Sequence, residues 1–362
     1  MYRLATCFWV SICTALHRVC RVRRLKTIIG LLLLIPMAML FSACKHKDLC
    51  YTHPHKARVR VNVDWSQFRV EKPTGMSVLF YSTEGGGNQQ TVLSNNTAFV
   101  ETDLAVGKYR AMVYNQSPSE FGSVSFSGME NLQTAAVYAN TQSSRWYNAR
   151  TDEEQVITAP EWIGTTVSGT LEVTREMVEA TNILHGSKPA PETNILGTLV
   201  PQNIIYTITV NVYLKGIYNL RSVRASLNGM ATGYEFGQQR ASEQNGTQLL
   251  ENWSITTDKV NPTQGVVTTK IRSFGLPHSH KGEAEENTLT VSFLLVDNKT
   301  KLNYTFKVGD SFIQDTDNEL SLRIDKEIAD PLPDVKPEGG TAGGFDAKVD
   351  DWGKEENFDI GV

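Results

Sequence analysis

The sequence predicts an all-β protein, built as two antiparallel β-sandwiches in tandem. Apolar residues recur at every second position through most of the chain, the period of a strand with one buried face. No long helical period appears, and no alternation of strands with helices, which excludes dinucleotide-binding and barrel enzyme folds. The apolar runs are short and are separated by Gly, Pro, Asn and Asp, the turn residues that punctuate sandwiches.

The elements follow in order. Ala57, Val59, Val61, Val63 and Trp65 alternate with Arg58, Arg60, Asn62 and Asp64, giving one apolar and one polar face. A strand is expected at Met76–Tyr81, and the glycines at 85–87 form a loop. Strands are also expected at Thr97–Val100, Tyr109–Tyr114 and Ser123–Ser127, the second entered through a turn at Val106, Gly107 and Lys108. Residues 128–160 show no clean period, and 130–142 is expected to hold a short helix. Thr165–Thr174 closes this half, followed by a helical turn at Arg175–Ala180. Pro189 and Pro191 then stiffen the chain and remove two donors, as in a linker.

In the second half, Ile204, Tyr206, Ile208, Val210, Val212 and Leu214 mark one face of a long strand. That pattern suits a central core strand better than a recruiting edge. Val223, Ala225 and Leu227 mark the next strand, and the polar stretch 238–250 reads as a loop. A strand at Val266–Phe274 precedes a loop at 275–286. Leu289–Val296 and Leu302–Val308 flank Asp297, Asn298, Lys299 and Thr300, a hairpin signal. Leu320, Leu322 and Ile324 form another strand, and 330–344 is rich in Pro and Gly. The last segment, Phe345–Val362, is expected to complete its own sheet; a mobile strand offered to another chain is the alternative.

The N-terminus carries the clearest chemistry. Lys26 precedes an apolar run from Thr27 to Phe41, followed by Ser42, Ala43 and Cys44. That is the order of a secretory signal peptide. The run is shorter than the about 20 residues a spanning helix needs, and Pro36 interrupts it. A membrane span or a buried core helix is the alternative. The small residues directly before Cys44 fit a lipobox, in which the Cys44 thiol takes a diacylglycerol and becomes the first mature residue. Each buried CH₂ contributes about 0.8 kcal/mol, so two or three acyl chains such as palmitate hold a protein where one does not. Residues 1–24 are long for a signal peptide and carry Cys7, Cys13 and Cys20. The native start is therefore expected at Leu25, with 1–24 untranslated; a precursor whose mass begins at Met1 would exclude this. The chain divides into a signal segment at 1–43, a tether at 44–56, an N-terminal sandwich at 57–186, a linker at 187–198 and a C-terminal sandwich at 199–362.

Removing residues 1–43 takes away six basic and no acidic residues, leaving 29 basic against 39 acidic and a formal charge of −10. That balance excludes nucleic acid as a partner and suits a soluble, self-repelling protein at a membrane surface. Only Cys50 remains beside Cys44, so no disulfide framework holds the fold. Cys50 is expected to be buried, with pairing between molecules as the alternative.

No phosphate loop, dinucleotide fingerprint, zinc-protease helix or serine-nucleophile elbow is present. His46, His53 and His55 follow the tether cysteine, and His278 and His280 share a loop; all read as exposed histidines, so no metal is assigned. Asp315, Asp317 and Glu319 begin like a calcium loop, but Leu320 stands where glycine is needed and Lys326 where glutamate is. The carboxylates are too scattered to single out a hydrolytic pair. No catalytic residue and no cofactor are assigned, and the chain is not read as an enzyme. Trp146, Tyr147 and Trp162 form either core packing or a stacking platform for a glycan.

Three stretches carry a resemblance. One is Cys44 to His55, leading into the strand that ends at Asp64 and Trp65. Another is the turn and strand from Leu104 to Asn115. The last is Val349 to Trp352 before the C-terminus. On these the chain resembles the fimbrillin-like lipoproteins of Bacteroidales, in particular minor fimbrial anchor subunits and an uncharacterised lipoprotein subfamily. The resemblance implies two transthyretin-like sandwiches, attachment to the outer membrane through Cys44, and a place at the base of or within a pilus, with subunits joined by strand donation. It transfers no other functional residue. Lys45 and Lys47 follow the cysteine with only Asp48 acidic, which leaves the side of the membrane open. The function expected is that of a lipid-anchored outer-membrane protein of the cell surface, acting as a fimbrial anchor or accessory subunit in adhesion. The alternative is a surface lipoprotein that captures glycans for a nutrient-uptake system.

Overall fold

The computed structural model describes residues 55–84, 89–184, 194–277, 286–315, 318–339 and 356–358. The first half runs β1 (Lys56–Val63), β2 (Met76–Ser82), β3 (Gln90–Ser94), β4 (Phe99–Ala105), β5 (Gly107–Asn115), β6 (Val124–Ser127), β7 (Ala136–Ala139), β8 (Val156–Ile157), β9 (Gly164–Val167), β10 (Leu171–Val173), helix α1 (Arg175–Leu184), β11 (Asn194–Leu199) and β12 (Gln202–Asn203). The second half runs β13 (Tyr206–Lys215), β14 (Leu220–Ala231), β15 (Gly233–Glu235), β16 (Arg240–Ala241), β17 (Asn245–Leu250), β18 (Ser254–Thr257), β19 (Gln264–Ser273), β20 (Thr288–Leu295), β21 (Lys301–Lys307), β22 (Ile313–Asp315), β23 (Asn318–Glu327) and β24 (Glu356–Phe358). Strand structure dominates, as the period-two pattern requires.

A three-stranded sheet, β11-β1-β4, faces a six-stranded sheet in the order β12-β9-β5-β2-β3, with β10 also on β5. Between them lies a core of Ala57, Val59, Val61 and Val63 from β1 against Val78 and Phe80 from β2 and Val113 from β5. Each fully buried aliphatic side chain there contributes about 1.5–3 kcal/mol. Helix α1 closes this core with Met177 and Val178. Thr181 fixes it to β1, accepting from Arg58 N at 3.0 Å while donating to Met177 O at 2.9 Å.

The C-terminal sandwich has the same logic. A five-stranded sheet, β18-β19-β13-β23-β22, faces a six-stranded sheet, β24-β21-β20-β14-β17-β8. Ile208, Val210, Val212 and Leu214 of β13 meet Ala225 and Leu227 of β14 and Val291 and Phe293 of β20. The long strand expected at 204–214 is central, with β19 antiparallel on one side and β23 parallel on the other. The expected hairpin is also present. Asp297 accepts from Lys299 N, Thr300 N and Thr300 Oγ1, and Asn298 takes the left-handed backbone with φ 57°.

A four-stranded sheet, β16-β15-β7-β6, makes a third layer. Its core joins Val124 and Val137 to Leu79, Tyr81, Met112 and Tyr114 from the outer face of β2 and β5. The N-terminal six-stranded sheet is thus covered on both faces in its middle. Gly233 allows β15 to approach β7, since a Cβ there would lie 2.3 Å from Val137 O.

Several expectations are corrected. Residues 130–142 hold no helix; 136–139 is β7, because pairing with β6 and β15 overrides the helix propensity of its alanines. The stretch 238–250 is not a loop but contains β16 and β17. Its buried polar residues, Ser242, Thr247 and Gln248, have partners, Gln248 Nε2 donating to Arg272 O at 2.9 Å. Residues 194–198, expected within the linker, lie in β11, which pairs in parallel with β1. The strand expected at Thr165–Thr174 is two strands on β5, interrupted where Ser168 Oγ accepts from Ala111 N at 2.7 Å. The terminal segment joins its own sheet through β24, which pairs in parallel with β21.

Candidate functional site

Sheet edges are the surfaces on which a β protein can take a strand from another chain. The edges of this molecule differ in how they are guarded. On β4, Glu101 pairs with Arg60 at 2.5 Å and Asp103 with Arg58 at 3.1 Å, so charges run along the margin. Edge strands β8, β12 and β16 are two residues long. On β11, register shifts between Arg60 and Val61 of its neighbour disturb the ladder. Gln90 Nε2 ties edge strand β3 across to Thr102 of β4.

β18 is different. Its Ser254, Ile255, Thr256 and Thr257 are all exposed. It pairs with β19 from Ser254↔Thr268 to Thr257↔Gly265 and ends its sheet. The strand carries no charge, no Pro and no Gly, and three of its four residues are β-branched threonine or isoleucine. The turn beyond is built locally. Asp258 accepts from Val260 N at 2.7 Å and Asn261 N at 3.1 Å. The Asn261 and Val260 N–H groups hold its carboxyl below the usual range. Val260 stands at the tip, 94% exposed. Beside the strand a groove of about 220 Å³ is lined by Tyr213, Lys215, Thr256, Asp258 and Glu327.

The residues singled out from sequence fall in several places. Cys44, Cys50, His46, His53, His278, His280 and Asp317 lie outside the described residues, and the side chains of Asp315 and Glu319 are not described. His55 is exposed at the start of β1. Among the described residues no group of three or more His, Cys, Asp or Glu could hold a metal. Among them also, no helix is long and apolar enough to cross a membrane.

The three aromatics do not form one platform. Trp146 and Tyr147 meet at 74°, centroids 5.8 Å apart. Trp162 is held elsewhere, under Arg272 at 5.6 Å and against the core of the third layer. Trp146 lies beneath Arg224, 5.5 Å away, and donates to Glu251. Tyr147 donates to Glu154 at 2.7 Å. Both rings therefore serve a latch that the sequence did not reveal. The segment between β7 and β8 crosses to the C-terminal sandwich, where Glu154 accepts from Asn228 of β14 at 3.0 Å and from Thr247 of β17. Arg150 Nη2 donates to Thr290 of β20 at 3.0 Å. Burial alone would raise the Glu154 carboxyl, but hydrogen bonds from Thr247, the Arg150 backbone and Tyr147 hold it below its ordinary value. Strand β8 then joins β17 in parallel.

Three comparisons place the chain among known proteins. Residues 43–251 match the family described as domain of unknown function (DUF5119). A Bacteroides ovatus protein named "Putative fimbrium anchoring subunit Fim4B" is 20% identical, covering 92% of this chain and 98% of that one. The crystal structure of "a putative adhesin", also from Bacteroides ovatus, superposes with a TM-score of 0.54 at 17% identity, covering 80% of this chain and 98% of that one, so the two share a fold.

Proposed function

The chain belongs to the family described as domain of unknown function (DUF5119), and from that premise we propose that it is an envelope-tethered accessory subunit of a fimbrium, of the anchoring kind. The observation that carries this reading is the end-to-end similarity to a protein named as a fimbrium anchoring subunit. In this reading Cys44 carries the lipid at the head of the tether 44–56. The outer membrane holds the protein.

The open edge β18 is the place we assign to a strand donated by another fimbrial subunit. A strand added there would pair with the outer ladder of β18 while its side chains met Ile255 and the Thr256–Tyr213 row on alternate faces. The activity is mechanical and adhesive, and no residue is given a catalytic role. The glycan-capture alternative drew on Trp146, Tyr147 and Trp162. These rings are half-buried and engaged by Glu251, Glu154 and Arg272, so they do not form a glycan platform.

The test joins the two parts. Cells expressing the full chain or Cys44→Ala are fed an alkyne-tagged palmitate and then fractionated. The label and the outer-membrane location are expected for the native chain and lost in the variant. Co-purification of fimbrial subunits with the native chain is expected to fall in Ile255→Lys. Labelled protein without any fimbrial subunit would overturn the assembly role and leave the tether.

A further inference from the structure

A second groove lies away from β18, and we propose that it binds a neutral sugar residue. It encloses about 210 Å³ between β9, β12, β13 and β15. That is below the about 300 Å³ at which drug-sized sites begin, so it suits a single ring better than a large ligand. Phe236 and Phe274, fully buried, lie beneath it and support it without offering a ring face of their own. Tyr206 and Tyr234 form its walls, and Gln202 and Gln239 stand at the rim.

The chemistry of the lining selects the ligand. Every lining residue is uncharged. Nucleotides, phosphates and acidic sugars would find no cation there. Aromatic faces beside amides and hydroxyls suit a pyranose, whose C–H face is apolar and whose hydroxyls each donate and accept. The groups needed are available. Among the described residues, the side chains of Gln202, Gln239, Tyr234 and Thr166 have no hydrogen-bond partner in the protein. Burial pushes the Tyr234 hydroxyl up to about 12, so it is a neutral donor at any physiological pH.

Gln239 supplies an independent observation. It closes the turn between β15 and β16 with φ 54°, in the left-handed region. A glycine would sit there without strain, and a glutamine does not. Its exposed amide has no structural partner to account for its presence, and a ligand in the groove gives it one. A peptide is a poorer fit. Strand β9 is paired at Gly164 and Thr165 by β12, leaving only Thr166 and Val167 as free edge, less than an ordinary strand needs. The proposal does not rest on the fimbrial reading, since it uses none of the residues of β18.

The experiment applies the full chain to an array of neutral and acidic glycans and measures each hit by calorimetry with the free glycan. Neutral glycans are expected to bind. Tyr234→Phe keeps the packing and is expected to weaken binding about tenfold through loss of one hydrogen bond. Gln239→Gly is expected to weaken binding while raising the melting temperature, because the strain is relieved as the amide is lost. Absence of any neutral glycan above background would overturn the proposal. So would affinities unchanged in both variants, or binding confined to acidic glycans.

Discussion

The N-terminal six-stranded sheet and the C-terminal five-stranded sheet are built from similar strands and put to opposite uses. In β2 every residue from Met76 to Tyr81 is buried, because Val78 and Phe80 face one core while Leu79 and Tyr81 face another. In β13 burial alternates, Ile208, Val210, Val212 and Leu214 inward and Thr207, Thr209, Asn211 and Tyr213 outward. Where a sheet is covered on both faces, as at β2 and β5, it can only be scaffold. A sheet with one wet face and an uncharged exposed edge can accept a partner without disturbing its core. The difference teaches where change is tolerated and where assembly is possible.

The largest effect should come from the doubly covered sheet. Tyr114 is 1% exposed and stacks on Phe126 at 4.8 Å and Phe236 at 6.3 Å. Tyr114→Ala is expected to cost about 3–5 kcal/mol in urea unfolding, by cavity formation and lost ring contacts. The matching change on the wet face, Tyr213→Ala, is expected to stay within about 0.5 kcal/mol. Equal costs at the two positions would erase the distinction.

The latch gives a smaller effect with a pH signature. Against the opposing effect of burial, hydrogen bonds from Thr247, the Arg150 backbone and Tyr147 hold the Glu154 carboxyl below its ordinary value in the folded protein. Its contribution is therefore complete above the unfolded value and is lost as pH falls through the lower folded value. Glu154→Gln is expected to cost about 1 kcal/mol at neutral pH, discounted for solvent access. Unfolding curves of the variant should converge on those of the native chain below the folded pKa. A constant difference down to the most acid pH would place the cost elsewhere.

The smallest effect on folding belongs to the open edge. Ile255→Lys should change stability by less than about 0.5 kcal/mol, since the residue is 44% exposed. A charge on the edge should nevertheless block strand addition. A large loss of stability would show that β18 is part of the scaffold.

The same contrast explains what could be read from the sequence. β1, β13 and the β20–β21 hairpin announce themselves, because one face of each is wet and the alternation survives in the residues. The double burial of β2 does not, since a run of apolar residues looks alike whether one or two cores receive it. β7 was expected as helix because Ala135, Ala136 and Ala139 carry little strand signal and depend on pairing with β15, about a hundred residues away. β17 looked like loop because Thr247 and Gln248 are polar, and only their distant partners make burial tolerable. The strand β18 is four residues long and follows no apolar period, so its exposed edge emerges only from the sheet order. The sugar groove draws its walls from 165–167, 202–206, 234–239 and 274, which no local motif connects.

The comparison of edges can be tested directly by photo-crosslinking in cells that assemble fimbriae. A photoreactive side chain is placed at Ile255 on the open edge β18 or at Glu101 on the guarded edge β4, each in the full chain. A fimbrial subunit is expected to be captured at Ile255 and not at Glu101. Capture at Glu101 alone, or at neither position while fimbriae still assemble on the protein, would contradict the assignment of β18 as the docking edge.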